Sequence, residues 1–177
     1  MQVRQLSNLN KKSVQKVISI LEKIGHPNPV IELKETARSA AEAATSLNVQ
    51  VGAIVKTLLF LIENKNGRIP IIVLVAGDNK CNTEVLPKII NLEGRVIRPN
   101  AESVKKITGY SIGGVSPVGL PREIKIIIDT SLKRFENVWS AAGHPYCVFS
   151  STFSELLKIT KAVQSENIIK KIIRVGK

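Results

Sequence analysis

Aromatic residues are scarce in this chain: one Trp, two Tyr and four Phe make up 4% of 177 residues. So few ring faces argue against a platform on which unpaired bases stack. Cysteine is equally sparse. Cys81 and Cys147 lie far apart, and neither sits in a CxxC or Cys/His cluster. No zinc site and no disulfide framework is legible. With only His26 and His144, and no GxSxG elbow, a serine triad has little support. A P-loop, an HExxH pair and a dinucleotide fingerprint are missing too. The Met1-Gln-Val-Arg4 start lacks a signal peptide's apolar core, and no apolar run is long enough to cross a bilayer. The expectation is a soluble, cytoplasmic protein with no membrane association, metal or cofactor.

Acidic residues are also few. Fourteen Asp plus Glu face 26 Lys plus Arg, for a net charge of +12. Such a chain attracts polyanions, although a lysine-rich composition at large would give the same charge. The apolar fraction is 44%, dominated by Ile, Val and Leu, which is globular composition and favours a substantial sheet. The length suits one domain, 1–177, with a sizeable core, and monomer is the default state.

Hydrophobic spacing predicts a helix capped by Ser13 and ended at Gly25, then a short strand over Val30–Leu33. Ser39-Ala-Ala-Glu42 reads as a capping box opening a helix to Leu47. Ile54–Ile62 and Ile69–Ala76 read as a hairpin about the Asn64–Gly67 turn. Asn82 is placed as the cap of a helix over 83–90. Arg95–Ile97 reads as a strand, and Asn100 begins a helix ending near Gly109. After the Gly/Pro-rich loop 109–121 come strands at Lys125–Ile128, Val138–Ala142 and Cys147–Phe149. Thr152-Phe-Ser-Glu155 is a second capping box, and 168–174 is placed as a terminal helix or strand. The irregular mixture, without steady βαβα alternation, predicts α+β with a mixed sheet.

Four features stand out chemically. Lys56 lies in a strand apolar on both faces, so it must find an anion, lose its proton or reach a cleft; snorkelling into water from the strand start is the plainer role. Gly113-Gly-Val-Ser-Pro117 can present backbone amides to an oxyanion, or be a plain surface turn. Gly143-His144-Pro145 can line the same cleft, with His144 as acid, base or donor, or be an exposed turn. Asp129 either caps the turn after its strand or faces Lys56 and positions a loop.

Taken in order, Ser39–Ala44, Val55-Lys-Thr-Leu-Leu-Phe60, Thr108–Gly119, Ile127-Ile-Asp129, Trp139–Pro145 and the Phe149–Thr160 segment resemble the YbaK/EbsC family, the editing domain associated with prolyl-tRNA synthetase. The resemblance covers about residues 12 to 165. It implies an α+β fold around a mixed, curved sheet flanked by helices. It implies hydrolysis of the ester of a mischarged aminoacyl-tRNA carrying Ala, Cys, Ser or Thr, performed in trans. Lys56 matches the family's signature lysine, Gly113 and Pro117 its glycine–proline loop, and Gly143 and Pro145 its other pocket loop. The middle position of that loop varies in the family, so His144 inherits no role, and Asp129 matches an aspartate of less certain importance. The expected catalytic set is Lys56, Gly113, Gly114, Val115, Ser116 and Pro117, with Asp129, Gly143, His144 and Pro145 binding substrate. The tRNA acceptor end is the expected partner, with a synthetase as a further candidate. A non-catalytic tRNA-binding module and a regulatory interaction protein of the same fold are the rival readings.

Overall fold

The computed structural model describes residues 7–120 and 124–169. In chain order it contains α1 (Lys12–Lys23), β1 (Ile31–Glu32), α2 (Ala40–Leu47), β2 (Ile54–Asn64), β3 (Gly67–Ala76), α3 (Leu86–Ile89) and β4 (Arg95–Ile97). There follow α4 (Ala101–Thr108), β5 (Lys125–Asp129), β6 (Val138–His144), β7 (Cys147–Ser151), α5 (Phe153–Thr160) and β8 (Val163–Ser165). Eight strands form one mixed sheet in the order β1-β7-β6-β2-β3-β5-β8, with β4 also paired to β2. The expected α+β class with a mixed sheet is what the structure shows.

The hairpin β2–β3 is the spine of that sheet. Its register runs unbroken from Val55↔Ala76 to Asn64↔Gly67. Both faces are covered, as the double apolar pattern of β2 requires. Val55, Leu59, Ile72 and Leu74 join one core with α1, Tyr110 and Phe149. Phe60, Ile62, Ile71 and Val73 join a second core with Leu86 and Ile90. Each fully buried side chain of this kind contributes about 1.5–3 kcal/mol of transfer free energy.

β2 is paired unevenly along its other edge. β6 runs parallel to it only at Ile54 and Val55. β4 runs antiparallel to it only from Leu61 to Glu63. Between those contacts, residues 56–60 have no strand partner on that edge, and no loop backbone bonds to them among the described residues. The gap opens where a cleft lies.

Both capping boxes form as their sequences predict, at Ser39/Glu42 and Thr152/Glu155. Three local expectations need correction. Ser13 is not the first cap: Lys11 precedes α1 without a side-chain cap, and Ser7 caps a short turn, Asn8–Asn10, that leads into it. Asn82 makes no cap bond, and the segment after it is a tight turn over Thr83–Val85 followed by one helical turn. Pro87 has no N–H to donate, so it fits the first turn of a helix starting at Leu86 and not the interior of a longer one. Of the terminal segment, Ile169 bridges Cys81, and 170–174 lie outside the described residues. The short strand β8 had no readable signal, because its three residues are polar or exposed.

Candidate active site

A cleft of about 450 Å³ lies over the unpaired stretch of β2. Its lining includes Lys56, Gly113, Val115, His144 and Pro145, so the three singled-out motifs meet in one place. Three segments are pinned together to make it. The Ala37 amide donates to the Pro145 carbonyl at 2.9 Å. The site of a Cβ on Gly113 lies 3.5 Å from the Arg38 Cα. A Cβ on Gly114 would fall 2.8 Å from the Cα of His144, so only glycine lets the two loops approach this closely. The glycine loop itself is tied back by Tyr110, whose buried hydroxyl donates to the Val118 carbonyl at 2.8 Å.

Lys56 is half-buried on β2, and its ammonium donates to the backbone carbonyl of Asn79. Burial pushes its pKa below the ordinary 10.5, while Asp78, Cys81 and Asp129 pull it back up. No carboxylate pairs with it directly among the described residues. The Asn79 side chain is held in turn, donating to Asp129 at 3.1 Å and to the Ser131 hydroxyl at 2.7 Å. The adjacent Asp78 accepts from the two terminal guanidinium nitrogens of Arg134, at 2.8 and 3.0 Å. The turn after β3 is thereby fixed from two sides.

Asp129 is 1% exposed and does not line the cleft. It caps the turn after β5 by accepting from the Ser131 amide at 2.9 Å, and it reaches Lys56 only through Asn79. The capping role is the one the structure shows; Asp129 does not face Lys56, and the expected place in the substrate pocket is not where it lies.

His144 ends β6, just past a bulge between Ala141 and His144. Its Nδ1 accepts from the Tyr146 amide at 3.3 Å, which leaves the proton on Nε2 in the neutral ring. Burial and Lys11 lower its pKa below 6.5. A neutral Nε2–H donor results at pH 7. Gly143, at φ +86°, allows the strand to turn within 2.5 Å of the Ser13 carbonyl, measured from a notional Cβ. Gly143 does not line the cleft; it aims the two residues that do.

The glycine loop divides. Gly113 and Val115 line the cleft, but the Gly114 amide is engaged by the Ser111 carbonyl at 3.0 Å. Ser116 is fully buried, with its hydroxyl accepting from the Val118 amide at 3.3 Å. Pro117 lines a different cavity of about 1250 Å³, between α1, α5 and β5. Larger though it is, that cavity contains neither Lys56 nor His144.

Several lining residues were not foreseen. Arg38 and Arg98 are exposed and form no ion pair among the described residues; Arg98 stacks over Phe60 at 5.6 Å. Ala40, Ala43, Ile54 and Trp139 form an apolar wall. Burial pushes the thiols of Cys81 and Cys147 up to about 11, so neither is a thiolate nucleophile at neutral pH. No cluster of three potential metal ligands occurs among the described residues.

Residues 34–159 match the model of the aminoacyl-tRNA editing domain. The chain belongs to that family. YwhH of Bacillus subtilis is 33% identical over 129 residues, which is 73% of this chain and 79% of YwhH. The proline–tRNA ligase of Levilactobacillus brevis is 31% identical over 119 residues, 67% of this chain but only 18% of the ligase. Among solved structures, a candidate trans-editing enzyme for prolyl tRNA synthetase superposes with a TM-score of 0.79 at 32% identity, covering 91% of this chain and 98% of that one. The matched region contains every cleft residue named above. No helix among the described residues is long and apolar enough to cross a membrane.

Proposed function

We propose that this editing-domain protein is a deacylase acting in trans, which hydrolyses the ester between a tRNA and a wrongly attached small amino acid such as Ala, Cys, Ser or Thr. The observation that carries this reading is Lys56, one tethered lysine in a cleft closed by the Gly113 and His144–Pro145 loops. An aminoacyl ester is already activated, so the site needs to hold it, aim a water and stabilise an oxyanion. Lys56 supplies a positive charge for the terminal phosphate or the aminoacyl group. Free amides around Gly113 and Val115 and the Nε2–H of His144 are donors for the carbonyl oxygen. The apolar wall of Ala43, Ile54 and Trp139 suits a small side chain. Arg38 and Arg98 stand where the sugar–phosphate chain of an acceptor end would pass, and phosphate contacts of this kind set affinity without reading sequence. Such a protein works on tRNA in the cytoplasm, as one editing unit and a monomer, with an aminoacyl-tRNA synthetase as candidate partner.

The test is deacylation of tRNAs mischarged with Ala, Cys, Ser and Thr, comparing wild type with Lys56→Ala. Turnover of at least one substrate that depends on the lysine supports the reading. Binding of tRNA with no turnover across the panel replaces it with a non-catalytic tRNA-binding module.

A further inference from the structure

The turn between β2 and β3 has only two residues, Lys65 and Asn66, so Asn64 and Gly67 exchange both of their backbone hydrogen bonds. The register is unbroken from there, so Ile62, Phe60, Leu58 and Lys56 also bond to β3 through their backbones. The residues between them turn both N–H and C=O to the other edge of β2. Pro70 agrees with this alternation: lacking an N–H, it stands opposite Leu61, one of the outward residues. On the outer edge β6 engages Val55, and β4 engages Leu61 and Glu63. Thr57 and Leu59 are left, with amides and carbonyls that have no backbone partner among the described residues. Continuing the β4 register would set Pro99 opposite Leu59, and a proline has no N–H to give, so the ladder stops there.

These groups open into the cleft. Successive side chains of β2 point to opposite faces, so a cleft over one face would touch every second residue. This cleft is lined by every residue from Ile54 to Phe60, so it meets the strand at its edge. Donors are plentiful around it: Lys56, Arg38, Arg98 and the Nε2–H of His144. Acceptors are scarce. No Asp or Glu lines the cleft, the Ser39 hydroxyl already accepts from the Glu42 amide, and the Pro145 carbonyl accepts from the Ala37 amide. An aminoacyl ester brings an α-ammonium group, which the neighbouring cations repel and which must find an acceptor once it leaves water. We propose that the open carbonyl edge of Thr57 and Leu59 receives the α-ammonium group of the aminoacyl ester. This rests on the deacylase reading above. The two carbonyls stand about 7 Å apart, so the ammonium takes one of them. Capture of an amine by strand backbone recognises what all amino acids share and leaves the side chain to the cleft walls. An ester without the amine is then a poor substrate.

The experiment takes whichever mischarged tRNA the wild type hydrolyses and compares its kcat/KM with that of the same tRNA carrying the desamino acyl group, propionyl in place of alanyl. Each value is divided by the uncatalysed hydrolysis rate of that ester. Loss of a hydrogen bond from a charged donor predicts a fall of about 10- to 100-fold for the desamino ester. The carbonyls are then weakened singly by replacing the next residue with its α-hydroxy acid, leucic acid for Leu58 and phenyllactic acid for Phe60. At least one replacement should slow the aminoacyl ester several-fold and leave the desamino ester unchanged. Equal normalised rates for the two esters in wild type overturn the proposal. Backbone variants that both keep the full wild-type preference for the amine also overturn it, by placing the ammonium elsewhere. Should neither variant fold, carbon-13 carbonyl shifts in wild type decide, since Thr57-Leu58 and Leu59-Phe60 are each unique dipeptides and can be labelled as pairs. A saturating non-hydrolysable alanylamide of 3′-aminoadenosine should move one of these two signals where the propionylamide does not, and no difference between the two overturns the proposal. A wild type inert on every aminoacyl ester is a distinct failure, which removes the deacylase reading and this role with it.

Discussion

Lys56 donates its ammonium hydrogen bond to the backbone carbonyl of Asn79, so the cleft's lysine is held by a turn and not by a carboxylate. That leaves its charge uncancelled at the point where an anionic substrate would dock. The tether is only as firm as the turn, and the turn depends on Asp129.

Asn79→Ala removes the side chain that links the turn to Asp129 and Ser131, while leaving the carbonyl that holds Lys56. The expected result is a stability loss of about 1–2 kcal/mol in urea unfolding, together with a fall in kcat/KM, because the carbonyl is no longer fixed. Asp129→Ala strands buried donors on both Asn79 and Ser131 and should cost about 2–3 kcal/mol. Loss of stability without any loss of activity would show that the turn does not position the lysine.

Gly114→Ala places a methyl within 2.8 Å of the His144 backbone. Backbone cannot retract as a flexible side chain can, so the two loops must part. A cost of about 1–3 kcal/mol is expected, with a larger proportional loss of deacylation than of stability. Thermal unfolding and single-turnover rates on the same preparation check this.

Much of this arrangement was legible in the sequence, and the limits have physical causes. The lysine in a doubly apolar strand, the paired glycines and the Gly-His-Pro segment all mark the cleft because each violates a local expectation. Asn79 was invisible because it acts through its backbone carbonyl, which every residue possesses. Arg38 and Arg98 carry no local sequence signal, and only the fold brings both to the lining of one cleft. Pro117 and Ser116 belong to the same run of sequence as Gly113, yet the chain turns between them and buries the serine. The gap along β2 arises from where β6 and β4 stop pairing, which is a relation between distant segments and leaves no local pattern.

His144 gives a pH signature. Its pKa is depressed in the folded protein, so folding favours the neutral ring. The unfolded chain binds the proton more readily, and the contribution of His144 to stability is therefore present above 6.5 and lost as pH falls through its lower folded-state value. His144→Gln should flatten the acid limb of the stability curve. If Nε2–H is the donor to the ester carbonyl, deacylation by the wild type should show no histidine-dependent loss above pH 6.5. A stability curve identical for wild type and His144→Gln between pH 5 and 7 would contradict this, those limits bracketing the usual range of about 6.5 for histidine.

The net charge of +12 predicts tRNA binding that weakens steeply with salt. If Arg38 and Arg98 each meet a phosphate, replacing either by Ala should reduce the slope of log affinity against log salt by about 1. Fluorescence anisotropy over a salt series measures it, and an unchanged slope in both variants would place the acceptor end elsewhere.

The central claim is that Lys56 serves chemistry in this cleft and not folding. Lys56→Met keeps the aliphatic stem and removes a charge whose burial is unfavourable, so circular dichroism and thermal unfolding should show a fold at least as stable as wild type. The measurement that tests the claim most directly is single-turnover deacylation of a mischarged tRNA by this variant beside wild type. The account predicts a folded protein that still binds tRNA and has lost nearly all turnover. A folded Lys56→Met protein that hydrolyses the ester at the wild-type rate would contradict it.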